Sequence, residues 1–276
     1  MSEVVLVDVA DRVATLTLNR PAARNALNRE LMYQLWDAVR AADADAAVDV
    51  MVLTGADPAF CAGVDLAEAS GRSEPSAPVR APGAGPERDV NGLFRFLPPT
   101  GKPIIGAING PAVTGGLEMA LQCTFLVASD RARFADTHAR VGVMPGGGAT
   151  VLLEATVGVR KALELSLTGN FLTATEALRL GLVNHVVPHE DLLPFTRKLA
   201  ADIAGNDRHA VQKLLQHYRR VTNAATLDEA HLLEGILAET WQPGISRIAE
   251  RRAEVTERGR AQLSGDPTRG NPDHPA

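Results

Sequence analysis

Cysteine is nearly absent from this chain. There are two in 276 residues, Cys61 and Cys123, which allow neither a disulfide framework nor a C-x-x-C metal pattern. Each reads as a small buried apolar residue. Also missing is any apolar run near the roughly 20 residues that a membrane-spanning helix needs. The first residues, MSEVVLVDVA, lack a basic stretch followed by an apolar core. The expectation is therefore a cytoplasmic protein with no membrane partner. Basic residues are outnumbered, and a net charge of −5 argues against nonspecific nucleic-acid binding. A local basic cluster would still suffice for a phosphorylated ligand. No repeat of fixed period occurs. What remains is the composition of a globular protein, long enough for one large domain or a domain with an appendage.

The most informative stretch is Ile104 to Cys123, IIGAINGPAVTGGLEMALQC. Ile104, Ile105, Ala107 and Ile108 predict a short buried strand, ended by the breakers Asn109-Gly110-Pro111. Gly115 and Gly116 let a backbone approach a ligand closely. Gly116–Gln122 reads as a helix with Glu118 in its first turn. Free N–H groups at such a turn can hold a developing anion. The pattern suits a carbonyl oxygen polarised by backbone donors, with a carboxylate nearby to move a proton.

Around it, Val4–Val9 and Val13–Leu18 predict a β-hairpin. Leu31, Met32, Leu35, Trp36 and Val39 recur at helical spacing after Asn28, a candidate N-cap. Val48–Leu53 is an expected strand. Residues 67–88 are rich in Pro, Gly, Ala and Ser, with little to bury. They read either as a lid that orders over a ligand or as a tolerated insertion. Val90, Leu93, Phe94 and Leu97 share one face of a possible short helix over Asp89–Leu97. Strands are expected over Thr124–Ala128 and from Phe134. Met144-Pro145-Gly146-Gly147-Gly148 predicts a turn launching a helix through Val157, and the absence of a leading strand excludes a dinucleotide fingerprint. Thr173-Ala174-Thr175-Glu176 is a capping box opening a helix that closes at Gly181, with a strand over Leu182–Val187. From Glu190 onward the pattern is helical. Leu192, Phe195, Leu199 and Ile203 form one stripe, Val211, Leu214, Leu215 and Tyr218 a second, and Ala230, Leu233 and Leu237 a third. Ile245 and Ile248 begin a fourth. The layout predicts an α/β core over 1–188, a helical region over 189–258 suited to subunit packing or to packing on the core, and a disordered tail over 259–276.

The ordered motifs NRPAARNALN (19–28), AFCAGVDL (59–66), IGAINGPAVTGGLEMALQC (105–123), FADTHARVGVMPGGG (134–148) and LTGNFLTATEALRLGLVNHVV (167–187) resemble the crotonase, or enoyl-CoA hydratase/isomerase, family. The resemblance implies a spiral core of β-β-α turns and a C-terminal helical trimerisation region, hence a homotrimer or a dimer of trimers. It implies an acyl-CoA thioester as substrate, with coenzyme A as part of that substrate and no permanently bound cofactor. Its oxyanion hole corresponds to the backbone amides of Val64 and Gly115. Substrate-binding positions correspond to Arg24, Ala26, Ala62, Asp65, Leu66 and Gly116. Arg24 suits a phosphate or is simply exposed. Glu118 matches the glutamate that activates water, although a carboxylate in a first turn is also a plain dipole partner.

One position departs from that pattern. Where hydratases carry a second glutamate, this chain has His138, in Ala135-Asp136-Thr137-His138-Ala139. An imidazole titrates near working pH and can act as the acid. Three roles are open to it: acid in a hydratase, shaper of the pocket, or structural residue pointing away. Asp136 is within reach in sequence to take that part, or equally caps the short helix after it. No further ligands accompany Asp136-x-His138, so no metal is expected. The resemblance implies hydration of a 2-enoyl-CoA. The alternative is an acyl-CoA-binding member with altered or lost catalysis, with isomerase or hydrolase activity less favoured. A serine hydrolase is disfavoured by the missing G-x-S-x-G elbow.

Overall fold

The computed structural model describes residues 3–81, 85, 86, 88, 92, 94–222, 224–240, 251, 252 and 255–260. Strands β1 (Val5–Ala10) and β2 (Val13–Leu18) form the expected antiparallel hairpin. Asp11 and Arg12, both at positive φ, turn it in the sense that matches strand twist. Helix α1 (Arg29–Ala44) starts at Asn28, whose side chain accepts the Leu31 N–H. There follow β3 (Val50–Gly55), α2 (Leu66–Ala69), β4 (Ile104–Ile108), β5 (Pro111–Val113), α3 (Gly115–Leu121), β6 (Phe125–Ser129), β7 (Arg133–Ala135) and α4 (His138–Val141). The next elements are α5 (Glu154–Val157), α6 (Val159–Thr168), β8 (Leu172–Thr173), α7 (Ala174–Arg179), β9 (His185–Val187), α8 (Leu192–Ala204), α9 (Arg208–Val221) and α10 (Leu227–Glu239).

The strands make two sheets, one ordered β1-β2-β3-β4-β6-β9 and the other β5-β7-β8. Two turns of chain repeat one plan: β4, β5, α3, then β6, β7, α4. In each, the first strand joins the large sheet, the second joins the small sheet, and a helix closes the turn. The preceding segment follows the same plan in reduced form. After β3, Cys61 makes a single parallel bridge to Ala112 of β5, and α2 follows.

Large-sheet strands β3, β4 and β6 are almost wholly apolar because both faces are buried, with only Thr54 and Ser129 polar among them. Met51, Leu53, Ile104, Ile108, Leu126 and Ala128 enter one cluster with Phe60, Leu117 and Phe134. Val50, Val52, Ile105, Ala107 and Val127, pointing the other way, form a second cluster. The stripe Leu192, Phe195, Leu199 and Ile203 of α8 packs on that second cluster. The compact unit consequently extends to residue 215, with residues 216–276 forming another. The division lies beyond the expected boundary at 188 because α8 covers a sheet face. Along α9 no residue is buried, and Leu214 and Tyr218 of its stripe are exposed. Burial pushes both thiols, Cys61 and Cys123, up to about 12.

Several elements differ from expectation. In the segment expected as a helix over Asp89–Leu97, Phe94 instead makes a single antiparallel bridge to Arg88, and 94–97 are not helical. Val90 and Leu93 lie outside the described residues, as do Ile245, Ile248 and residues 261–276 of the expected tail, whereas Gly259 and Arg260 are helical. The strand expected over Leu182–Val187 is only β9, because Leu182 and Val183 are turn residues buried in the core. The helix after Gly148 begins as a wide π turn over Ala149–Leu153. There the Ala149 N–H is turned to a side chain instead of the helix ladder.

Candidate active site

The segments carrying Val64 and Gly115 are tied together by main-chain bonds. The Cys61 N–H donates to the Pro111 carbonyl at 3.1 Å, and the Val113 N–H to the Cys61 carbonyl at 2.9 Å. Leu27 pins the other side, donating to the Gly63 carbonyl at 2.7 Å and accepting from the Asp65 N–H at 3.0 Å. Gly63 holds φ at +94°, and a Cβ there would stand 2.9 Å from the Val113 oxygen and 3.5 Å from the Gly115 nitrogen. No side chain fits between the two segments. A Cβ on Gly115 would in turn meet Val64 Cγ2 at 3.4 Å. Among the described residues neither the Val64 nor the Gly115 amide has a hydrogen-bond acceptor.

Thr114, which presents Gly115, has φ +52°, a conformation β-branched residues seldom adopt and one typical of strained sites. Hydrogen bonds from both its main chain and its side chain hold it there. Its N–H donates to the Ala135 carbonyl at 2.8 Å, its hydroxyl shares a 2.5 Å bond with the Thr137 hydroxyl, and its carbonyl accepts the Glu118 N–H at 2.9 Å. The strained residue thus links the start of α3 to the segment that carries His138.

Glu118 is buried, and its Oε1 accepts two main-chain N–H groups, from Gly147 at 2.7 Å and Ala149 at 3.2 Å. Its other oxygen, Oε2, lies 3.6 Å from Nε2 of His138. The opposite ring nitrogen, Nδ1, is 2.5 Å from Oδ1 of Asp136, and the Ser166 hydroxyl of α6 donates to Asp136 Oδ2 at 2.6 Å. Burial is the largest influence on the His138 pKa and acts to lower it. The hydrogen bond that the ring donates to Asp136 and the charges of Glu118 and Asp136 outweigh it, so the imidazolium is favoured above its usual range. For Asp136, burial acts upward, but hydrogen bonds from His138 and Ser166 hold its carboxyl below the usual range. The result is an acid and a base facing each other.

This pair lines a cavity of about 410 Å³, whose wall also includes Ala62, Val64, Leu66, Thr114 and Thr137. Apolar side chains, among them Met32, Phe94, Phe96, Val141 and Met144, make up much of the remainder. Among the described residues, no group of three or more His, Cys, Asp or Glu side chains is arranged to hold a metal ion.

A family model described as enoyl-CoA hydratase/isomerase matches residues 8–256. The chain belongs to the enoyl-CoA hydratase/isomerase family. It is 38% identical over 250 residues to the probable enoyl-CoA hydratase 1, peroxisomal, of Arabidopsis thaliana, covering 90% of each chain. Among solved structures, enoyl-CoA hydratase from Mycobacterium smegmatis matches with TM-score 0.70 and 48% identity over 86% of this chain and 96% of that one. The enoyl-CoA hydratase from Bacillus anthracis matches with TM-score 0.79 and 29% identity over 92% and 97%. The crotonase fold and an enoyl-CoA hydratase-like enzyme follow from this membership.

Not every residue singled out in the sequence reaches the cavity wall. Arg24 is exposed and Ala26 half-buried, and neither lines it. Asp65 is engaged elsewhere, capping α2 through the Ala67 and Glu68 N–H groups and pairing with Arg20 at 3.0 Å. Gly116 is required by packing, since a Cβ there would sit 2.2 Å from the Cys61 oxygen. Sequence reasoning missed Ser166, which carries no local signal, and the amides of Gly147 and Ala149. The Gly146-Gly147-Gly148 run marked that turn without revealing what it holds.

Proposed function

We propose that this protein adds water reversibly across the double bond of a 2-enoyl-CoA. The thioester carbonyl receives hydrogen bonds from the Val64 and Gly115 amides. Glu118 takes a proton from water as its oxygen adds to C3, and the displaced electron pair moves onto the thioester oxygen as an enolate. His138 then delivers its Nε2 proton to C2. Glu118 ends protonated and His138 neutral, and proton transfer between the two restores the starting state. Fixed donors aimed at the enolate oxygen contribute about 3–4 kcal/mol each, and a positioned acid or base contributes roughly 10²–10⁴-fold.

One observation carries this reading: His138 Nε2 lies 3.6 Å from Glu118 Oε2 on the cavity wall. Two carboxylates so close would resist ionising together, whereas a carboxylate and an imidazolium hold both charges readily. A homotrimer or dimer of trimers belongs to the same proposal, supported by the exposed Leu214 and Tyr218 of the α9 stripe.

Incubation with crotonyl-CoA, followed by loss of the enoyl-thioester absorbance, tests it. Wild type should turn over, and Glu118→Gln should lose about 10²–10⁴ of kcat. Tight binding without turnover in wild type would instead support an acyl-CoA-binding role. Full turnover by Glu118→Gln would remove Glu118 from the mechanism.

A further inference from the structure

Behind the facing pair lies a second buried carboxylate that the proposed reaction does not touch. Asp136 is 1% exposed and sits between β7 and α4. Its Oδ1 accepts from the main-chain N–H of His138 at 3.2 Å and lies 2.5 Å from Nδ1 of the same residue. Its Oδ2 accepts the hydroxyl of Ser166, thirty residues on in α6, at 2.6 Å. An ionised carboxylate can only accept hydrogen bonds, so Nδ1 must carry hydrogen in both charge states of the ring. The exchangeable proton therefore belongs to Nε2, the nitrogen that faces Glu118.

We infer that Asp136 is a positioning residue for His138, and Ser166 for Asp136. Together they hold the imidazole in one tautomer and one orientation, with Nε2 as its sole point of proton exchange. The inference rests on the hydratase reading for the reaction served, but on the side-chain geometry alone for the tautomer. The charged groups facing the ring are Glu118 from α3 and Asp136 from the β7–α4 connection. Arg88 lines the same cavity. Arg140, on the helix of His138, turns instead to the Thr168 carbonyl and the Asn170 side chain. Ser166 occupies the second carboxylate oxygen, which prevents Asp136 from rotating away.

The decisive variant is Asp136→Asn, assayed over pH with crotonyl-CoA and titrated without substrate by ¹⁵N-histidine NMR, with His138→Gln identifying the signal. In wild type, ¹⁵N shifts should report hydrogen on Nδ1 throughout and titration at Nε2. In Asp136→Asn the His138 midpoint and the alkaline limb of kcat should both move down by about one pH unit or more. At the optimum kcat should fall about 10–100-fold, with KM nearly unchanged. Ser166→Ala should shift both in the same direction by less, and it carries the test if Asp136→Asn does not fold. An unmoved His138 midpoint in a folded variant, or a wild-type ring with its fixed hydrogen on Nε2, overturns the inference. Should wild type bind but not hydrate, the hydratase reading fails while the NMR titration still decides the role of Asp136 and Ser166.

Discussion

Glu118 and Gly147 lie 29 residues apart in sequence and meet in a 2.7 Å hydrogen bond from the Gly147 N–H to the carboxylate. The glycine is also the wall against which that carboxylate rests. A Cβ at 147 would stand 2.4 Å from Phe96 Cε2 and 3.0 Å from Glu118 Oε2. The loop after Met144 therefore both holds the Glu118 carboxylate and limits where it can go.

Gly147→Ala should consequently damage activity more than folding. Overpacking of this kind costs about 1–3 kcal/mol, and a displaced base loses roughly 10²-fold in rate. Thermal unfolding and crotonyl-CoA kinetics on the same preparation check it. Wild-type kcat in the variant would show that Glu118 is not placed by this loop.

Replacing His138, the proposed acid, should be as damaging as replacing Glu118, the proposed base. His138→Gln keeps a polar side chain but has no titrating proton, and kcat should drop about 10²–10⁴-fold. Exchange of the C2 hydrogen of 3-hydroxybutyryl-CoA with D₂O, read by NMR, should fall in parallel. Retained exchange at the wild-type rate would assign the C2 proton to another group.

Stability should carry the signature of His138. Its folded pKa lies above 6.5, so its contribution is complete below that unfolded value and is lost as pH rises through the folded one. Asp136 has the opposite sign. It is held below 3.8, so its contribution is complete above 3.8 and disappears as pH falls through the folded value. The Tm advantage of wild type over His138→Gln should therefore shrink as pH rises above 6.5. A constant gap across that range contradicts the assignment.

The Pro- and Gly-rich segment after α2 is anchored at Glu68, whose carboxylate accepts the Arg29 and Ser76 N–H groups at 3.0 Å each. Farther along, Arg80 pairs with Asp37 and stacks on Tyr33. Since Leu66 and Ala69 line the cavity, loosening this segment should reach the substrate. Glu68→Ala removes hydrogen bonds to a charged group, each worth about 1.5–3 kcal/mol. Limited proteolysis should then cut within residues 70–80 faster than in wild type, and KM should rise. Unchanged cleavage would show that the segment is secured without Glu68, by Arg29 on the Ala77 carbonyl, the Glu30 N–H on Ser76 and the Arg80 contacts.

The pieces readable from sequence are those whose causes are local. The runs VMVL and IIGAI announce doubly buried strands because they carry no polar side chain on either face. Asn28 and the Thr173–Glu176 box announce helix starts because the capping atoms lie within three residues of the amides they satisfy. Glu118 and Val64 could be marked through a resemblance carried by ordered motifs. Leu182 and Val183 looked like strand because their apolarity serves a buried turn. Ser166, Asp136, His138 and Glu118 become one hydrogen-bonded and ionic line only when the spiral stacks α6, the β7–α4 connection and α3 beside one another. Directional contacts between residues this distant leave no periodic trace in a chain, so the choice of His138 as the partner of Glu118 belongs to the packing.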